Sequence, residues 1–589
     1  MVYTERLTLG CLWRAFFFRQ QTHYLVPSIP VRIALRVNYR LKLDIPVAPL
    51  TIGQIETATG IRKAAYKESE SEIEYIGDAE WVAEVGKFLG INFELIIRKF
   101  LFDELYRKYE FYKIARQHAS ENSSPLRIMY LDEQFARDYP ESLSSQFKVR
   151  GLRHIPGTGL FMLMILPVFL VYYAQRNRVV GIKCFQDSLV FQIDREKIYD
   201  MFQSLFGEFS GTYFVMERWN AIEPCNASDA EWRRDVQIST LGITGRDFHY
   251  LRKALVSYIG SCLKHFRVIQ RYQARLFVIF YFIMRGRAEA INGSGNWLIT
   301  YEHPVTRKAI RNEFLRHDGN RSIYIPMNAN EAPTYWSEDI FINYDIMCMA
   351  GKQGFELYRM KHVAHPVLLP AGSYDVHRGP KRWAGRAERI SHLKAFKGDS
   401  VAILITSPGL CDPTESYELK LMALAKTLAE QPGVKVFVRQ KPGDTSALAT
   451  KFQNFYADFF KGTEAVLLTS GEYELWDFLD VSDLVVTSIS TTGFDLAVGG
   501  AQVMFVDFHR DPELFLSWTM VPEVLVNPEW ALERVLEWTR DADGGPVRQR
   551  HAQFVVKLVD YIEFKHPDFS AYKQNILSAL ETQGVLKIH

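Results

Sequence analysis

The chain has only six cysteines in 589 residues, and their scatter matters more than their number. Cys11, Cys184, Cys225, Cys262, Cys348 and Cys411 form no Cys-x-x-Cys pair and no dense framework. That excludes a zinc-ribbon module and a disulfide-stapled secreted scaffold, and it suits thiols kept in a reducing compartment. Net charge is equally slight: 70 Lys and Arg against 68 Asp and Glu leave a formal +2. No overall field draws the chain to nucleic acid, so any charged partner surface must be local. Also missing are a fixed-period repeat and a low-complexity linker, and no N-terminal secretory signal is expected. "MVYTERLTLGCLWRAFFFRQ" carries Glu5 early and lacks both a sustained apolar stretch and a small-residue cleavage site.

What is present is apolar material. At 48% hydrophobic residues, a chain of 589 exceeds what one core holds and supplies two or three. One run, Ile155 to Ala174, has no charge at all and is bracketed by Arg150, Arg153 and His154 before it and Arg176 and Arg178 after it. Its length suits a bilayer span, but Pro156, Gly157, Gly159 and Pro167 shorten the clean helical stretch. A span, a membrane-docked hairpin and a buried core segment are the three readings it allows.

The clearest organisation lies in the C-terminal third. "VAILITS", "VKVFVRQ", "EAVLLTS", "DLVVTS" and "QVMFVDF" are continuous apolar runs, separated by helical patterns such as "ESYELKLMALAKTLAEQPG". Continuous runs alternating with helices mark a parallel sheet buried on both faces, so residues 376–530 are expected to form a doubly wound, Rossmann-like domain. Upstream, "NWLITYEHP", "SIYIPMNA", "DIFINYDIMCMAG" and "HPVLLPAG" with intervening helices repeat the scheme less cleanly, and "SPLRIMYLDE" is placed at its start. This second α/β unit is assigned to residues 126–375. Residues 1–125 are expected to be largely helical and match no known scheme; 531–589 read as three helical tail segments.

"DLVVTSISTTGFDLA" runs from a strand, through Ser488, Ser490, Thr491 and Thr492, into a helix opening near Gly493. In an open parallel sheet ligands bind at the carboxyl ends of the strands, where free helix amides and hydroxyls hold anions, phosphate above all. The same residues could instead simply cap the helix. Two neighbours favour a ligand: Tyr473 and Glu474 open the preceding helical segment, where a base or ribose could lie, and Arg439 and Lys441 end a strand as cations able to neutralise a diphosphate.

These residues resemble the donor-binding half of GT-B glycosyltransferases. Among them the chain looks most similar to the group containing CDP-glycerol glycerophosphotransferases and polysialyltransferase-like enzymes of surface carbohydrate. The likeness runs from Val401 to Arg510 and is carried by Arg439, Glu474-Leu475, Ser490-Thr491, Phe494-Asp495 and Asp507. The chain departs from the group at Lys441-Pro442, where His-Pro is usual. The resemblance implies an α/β, GT-B-like fold: two Rossmann-like domains facing a cleft, an extra N-terminal helical region, and C-terminal helices packing back on the N-terminal domain. It implies a nucleotide-activated sugar as co-substrate, with Arg439, Lys441, Tyr473, Glu474, Ser488, Ser490, Thr491, Thr492 and Gly493 binding it. It further implies a glycan or lipid-linked acceptor, and no metal or other cofactor; no compact Asp-x-Asp argues otherwise. Transfer of a polyol phosphate from a CDP-linked donor and a non-catalytic scaffold are the alternatives.

The base that takes the acceptor proton is expected at Glu302 or His303, which end the strand "NWLITYEHP", with Asp132 and Glu133 as rivals. Lys264, Arg267, Arg271 and Arg275 recur at helical intervals beside the apolar stretch running to Arg287. With the 155–174 run, the 264–287 segment suggests a cytoplasmic protein held peripherally at an anionic membrane face.

Overall fold

The computed structural model describes residues 2–7, 22–27, 47–49, 63–67, 79–121, 158–179, 188–193, 196–207, 209, 212–217, 239–272, 275–291, 295–301, 306–329, 334, 341–360, 367–378, 385–406, 417–439, 454–469, 473–488, 491–508 and 510–586. The chain divides into two compact units: residues 1–53, 57–178 and 243–285 form one, and 54–56, 179–242 and 286–589 the other.

The first unit holds a three-stranded parallel sheet, β1 (Val2–Leu7), β2 (Thr22–Pro27) and β3 (Val47–Pro49), in that order. Its helices are Ala79–Leu89, Phe93–Glu121, Thr158–Arg176, Gly245–Lys264, Phe266–Tyr272 and most of Arg275–Glu289. Trp81 is fully buried, with ring centroids of Phe93 at 5.5 Å and Tyr272 at 5.4 Å. The Tyr258 hydroxyl beside them donates to the Leu276 carbonyl at 3.1 Å. The helix Gly245–Lys264 starts at a capping box in which Thr244 and Asp247 exchange hydrogen bonds.

The long basic helix expected around Lys264 to Arg287 is three helices. The first ends at His265, where φ −98° and ψ 64° leave the helical region; the others are Phe266–Tyr272 and Arg275–Glu289. Lys264, Arg267 and Arg275 therefore fall on different helices, and Lys264 pairs with Glu84 at 2.8 Å. Among the described residues no helix is long and apolar enough to cross a membrane.

The second unit contains two fully parallel sheets. The first is ordered β10-β9-β8-β7-β4-β5-β6, built from β4 (Leu189–Ile193), β5 (Thr212–Glu217), β6 (Ser239–Leu241), β7 (Trp297–Thr300), β8 (Arg321–Tyr324), β9 (Ile346–Met349) and β10 (Val367–Pro370). The second is ordered β13-β12-β11-β14-β15-β16, from β11 (Val401–Thr406), β12 (Val434–Arg439), β13 (Val466–Thr469), β14 (Leu484–Thr487), β15 (Val503–Val506) and β16 (Leu525–Val526). Each sheet starts in the middle, runs to one edge, then crosses over and runs to the other. That is the doubly wound Rossmann order, and the direction in which successive strands are added reverses at a switch point between β4 and β7 in one sheet and between β11 and β14 in the other, all strands staying parallel. Strands such as β4, β7 and β14 are buried at every position, which explains their unbroken apolar sequences. Two such sheets in one chain give the α/β, GT-B-like architecture.

The C-terminal helices tie the two sheets together. Val555, Leu558 and Ile562 of the helix Pro546–Ile562 belong to the core of the second sheet, whereas Tyr572, Ile576 and Leu580 of the helix Phe569–Thr582 belong to that of the first. The crossing is close. A Cβ on Gly351 would lie 2.0 Å from the Ile562 carbonyl carbon, and the Phe564 N–H donates to the Ala350 carbonyl at 2.7 Å.

Candidate functional site

Several strands of the second sheet end on a polar residue at the same edge. The register pairs Thr406 with Arg439 and Arg439 with Thr469, so the three stand side by side at the carboxyl ends of β11, β12 and β13. Thr487 ends β14, and its hydroxyl meets that of Thr406 at 2.7 Å across the switch point. A row of buried polar side chains terminates strands that are otherwise apolar except for Lys435. Where an open α/β sheet reverses its order, that edge is the place for a ligand.

Within this row two groups stand out electrostatically. Arg439 is 9% exposed, and its Nε has no hydrogen-bond partner among the described residues. Burial pushes its pKa below the ordinary arginine value, partly opposed by the fields of Glu474 and Asp477, yet a guanidinium remains charged at neutral pH. Ser488, immediately after β14, is fully buried, and its Oγ also lacks a partner. Buried donors left unpaired are costly, by about 1–3 kcal/mol each and more for a charge, and an anion would repay that cost. The helix Thr491–Val498 follows three residues later, its N-terminal amides at the same edge.

The remaining expected residues divide. Gly493 is needed, but for packing: a Cβ there would lie 2.6 Å from the Thr487 Cγ2 and 2.8 Å from the Phe505 ring, so glycine lets the helix sit on the sheet. Tyr473 is in the core rather than open to a base. It is 8% exposed, stacks on His392 with the rings 11° apart, and its hydroxyl bonds the His392 Nδ1. Glu474 begins a 3₁₀ segment, Leu475–Asp480, rather than an α-helix, and shares a capping box with Asp477. Asp477 is fully buried and held by Arg389 at 2.6 Å and 3.2 Å. Thr492 is half-buried, and Thr491 is the first residue of the helix. Lys441, Ser490, Glu302, His303, Asp132 and Glu133 lie outside the described residues. In the chain, Glu302 and His303 follow β7, which borders the switch point of the first sheet.

A second polar cluster, where the two sheets meet, was not expected from sequence. Asp495, on the helix Thr491–Val498, accepts the Ala329 N–H at 2.9 Å and the Asn328 amide at 3.4 Å, both from the loop after β8. Nearby, Asp375 pairs with Lys197, and Glu563 accepts from the Ser373 N–H at 2.6 Å and its hydroxyl at 3.0 Å. Burial, reinforced by Asp375, pushes the Asp495 carboxyl up to about 8, and burial raises Glu563 as well. The Phe494-Asp495 pair was visible in the sequence. Its partners, 166 residues away at Ala329, were not. Among the described residues no group of three His, Cys, Asp or Glu is placed to hold a metal ion.

No family model matches the sequence, and no curated protein matches it. Among solved structures the chain is similar to the N-terminal domain of trehalose-6-phosphate phosphatase from Candida albicans, at 11% identity over 69% of this chain and 98% of that one, with a TM-score of 0.40. It is also similar to the wall teichoic acid polymerase TagF, at 11% identity over 72% of this chain and 97% of that one, TM-score 0.38. A third is an α,α-trehalose-phosphate synthase (UDP-forming) from Burkholderia xenovorans, at 10% identity over 67% and 100%, TM-score 0.38. Values this low carry no argument about chemistry. The doubly wound order stands on the chain's own strands.

Proposed function

We propose that the chain is a GT-B-type glycosyltransferase that moves a sugar from a nucleotide-activated donor to a glycan or lipid-linked acceptor in cell-surface polysaccharide synthesis. The observation that carries this reading is that the buried Arg439 Nε and Ser488 Oγ, at the carboxyl edge of the second sheet, have no hydrogen-bond partner among the described residues. The acceptor hydroxyl attacks the anomeric carbon, the bond from that carbon to the diphosphate oxygen breaks, and negative charge grows on the leaving diphosphate. Arg439, the Ser488 hydroxyl and the amides of the helix Thr491–Val498 are suited to that charge, with Lys441 and Ser490 beside them in sequence. Glu302 or His303 takes the acceptor proton. With a guanidinium at the leaving group, the reaction needs neither a metal nor a cofactor beyond the co-substrate. The enzyme is proposed to work in the cytoplasm, at the inner membrane face.

The test is thermal unfolding of the purified chain against UDP, GDP, CDP, CMP and dTDP. A nucleoside diphosphate that stabilises it supports sugar transfer; stabilisation by CMP alone favours release of CMP, as in polyol-phosphate transfer. No shift with any of them rejects a donor site.

A further inference from the structure

The helix Thr158–Arg176 is apolar on every side but buried on only one. Leu163, Leu166, Leu170 and Tyr173 are at most 3% exposed, whereas Phe161 is 60%, Met164 70% and Val168 72% exposed. Leu160, Val171 and Tyr172 are exposed too. At 100° per residue these six exposed residues fall within roughly 120° of the helix circumference and extend about 18 Å along it. A contiguous exposed stripe of this kind has no place on a surface that meets only water.

The charge near the stripe identifies its occupant. The described residues 158–179 carry Arg176 and Arg178 and no Asp or Glu, and from Phe248 to Ala288 the chain has no acid and eight Lys and Arg. The helix packs against Gly245–Lys264 and Phe266–Tyr272. On the first of these Arg252, Lys253, Val256 and Leu263 are exposed at helical spacing, and on the second Phe266 and Arg267 are exposed. Two copies meeting through this surface would bring cation against cation. An anionic bilayer supplies both an apolar layer for the stripe and phosphates for its rim.

We infer that the exposed face of Thr158–Arg176, with the adjoining basic and apolar face of Gly245–Arg267, docks in the headgroup region of an anionic membrane, the helix lying in the plane of the bilayer. This gives a definite surface to the membrane setting of the proposed function, and it does not depend on the donor site. The docking face belongs wholly to the first compact unit, whereas the nucleotide residues belong to the second.

The experiment is flotation of the full chain with vesicles of phosphatidylcholine alone and of phosphatidylcholine mixed with phosphatidylglycerol, with and without Phe161→Glu/Met164→Glu/Val168→Glu. All three positions are exposed, so the melting temperature of the variant should match wild type. Expected are binding to the mixed vesicles, weaker binding to the neutral ones or at high salt, and a loss of roughly tenfold or more in the variant. Equal binding by variant and wild type overturns the assignment. So does the absence of vesicle binding, including the case in which sedimentation shows a dimer that the variant dissolves. Nucleotide-dependent melting, measured on the same samples, separates the outcomes: failure to dock with the nucleotide shift retained rejects the docking face alone.

Discussion

Replacing Asp495 by Asn should change how stability depends on pH more than stability itself. Asp495 is 4% exposed, and Asp375 and Glu563 add negative potential while Lys197 offsets it in part. Its carboxyl is thereby raised from 3.8 to about 8. The folded state thus holds a proton that the unfolded state releases at about pH 4, so this group's contribution is complete at low pH and is lost as pH rises toward 8. Each unit in that window costs about 1.4 kcal/mol per group, or roughly 2.7 kcal/mol between pH 5 and pH 7. Asn cannot ionise, and its oxygen still accepts the Ala329 N–H; a flip of the Asn328 amide presents an acceptor to its new NH₂. Urea unfolding at pH 5, 6, 7 and 8 should therefore show the variant gaining on wild type with each step upward. Comparison at equal pH removes the contributions common to both proteins. Parallel curves for the two proteins over the whole range would refute the reasoning, because the carboxyl would then have an ordinary pKa.

Two further outcomes follow from packing and burial. Gly493→Ala should cost about 1–3 kcal/mol in the same urea assay, since the new methyl meets the Thr487 Cγ2 and the Phe505 ring inside contact distance; an unchanged midpoint would mean that the helix can shift freely on the sheet. His551 behaves with the opposite sign to Asp495. It is 6% exposed, burial lowers its pKa to about 4, and the stability of the neutral ring is therefore complete above about pH 6.5 and lost as pH falls through 4. His551→Phe should flatten that acid limb, which between pH 6.5 and pH 5 amounts to about 2 kcal/mol.

The second sheet was legible because its strands are buried on both faces and leave unbroken apolar runs. β11, β12, β14 and β15 stand where "VAILIT", "VKVFVR", "LVVT" and "VMFV" occur. Runs with mixed composition overreached. "DIFINYDIMCMAG" contracts to Ile346–Met349, because pairing with β8 and β10 engages only that segment. The break at His265 carries no glycine or proline, so helical periodicity reads through it. At the candidate site the strand-ending residues Thr406, Arg439, Thr469 and Thr487 are visible in the sequence; the register that aligns them is a tertiary property. Tyr473 shows the converse. An aromatic next to a sheet edge suits a nucleotide base equally well whether it is open or, as here, held in the core by His392 and Phe478. The Asp495 cluster depends on loops and tail helices far apart in the chain, and no local pattern encodes it.

The central claim is that Arg439 is kept buried to meet an anion, and one substitution separates that role from a structural one. Arg439→Met keeps similar volume and removes the charge together with an Nε that has no hydrogen-bond partner among the described residues. Nucleotide titration followed by melting should show an unliganded protein as stable as wild type or more so, together with a loss of roughly tenfold or more in affinity for the stabilising nucleotide. A variant that melts lower without ligand yet keeps wild-type nucleotide affinity would contradict the account, and Arg439 would be a structural residue at the end of a strand.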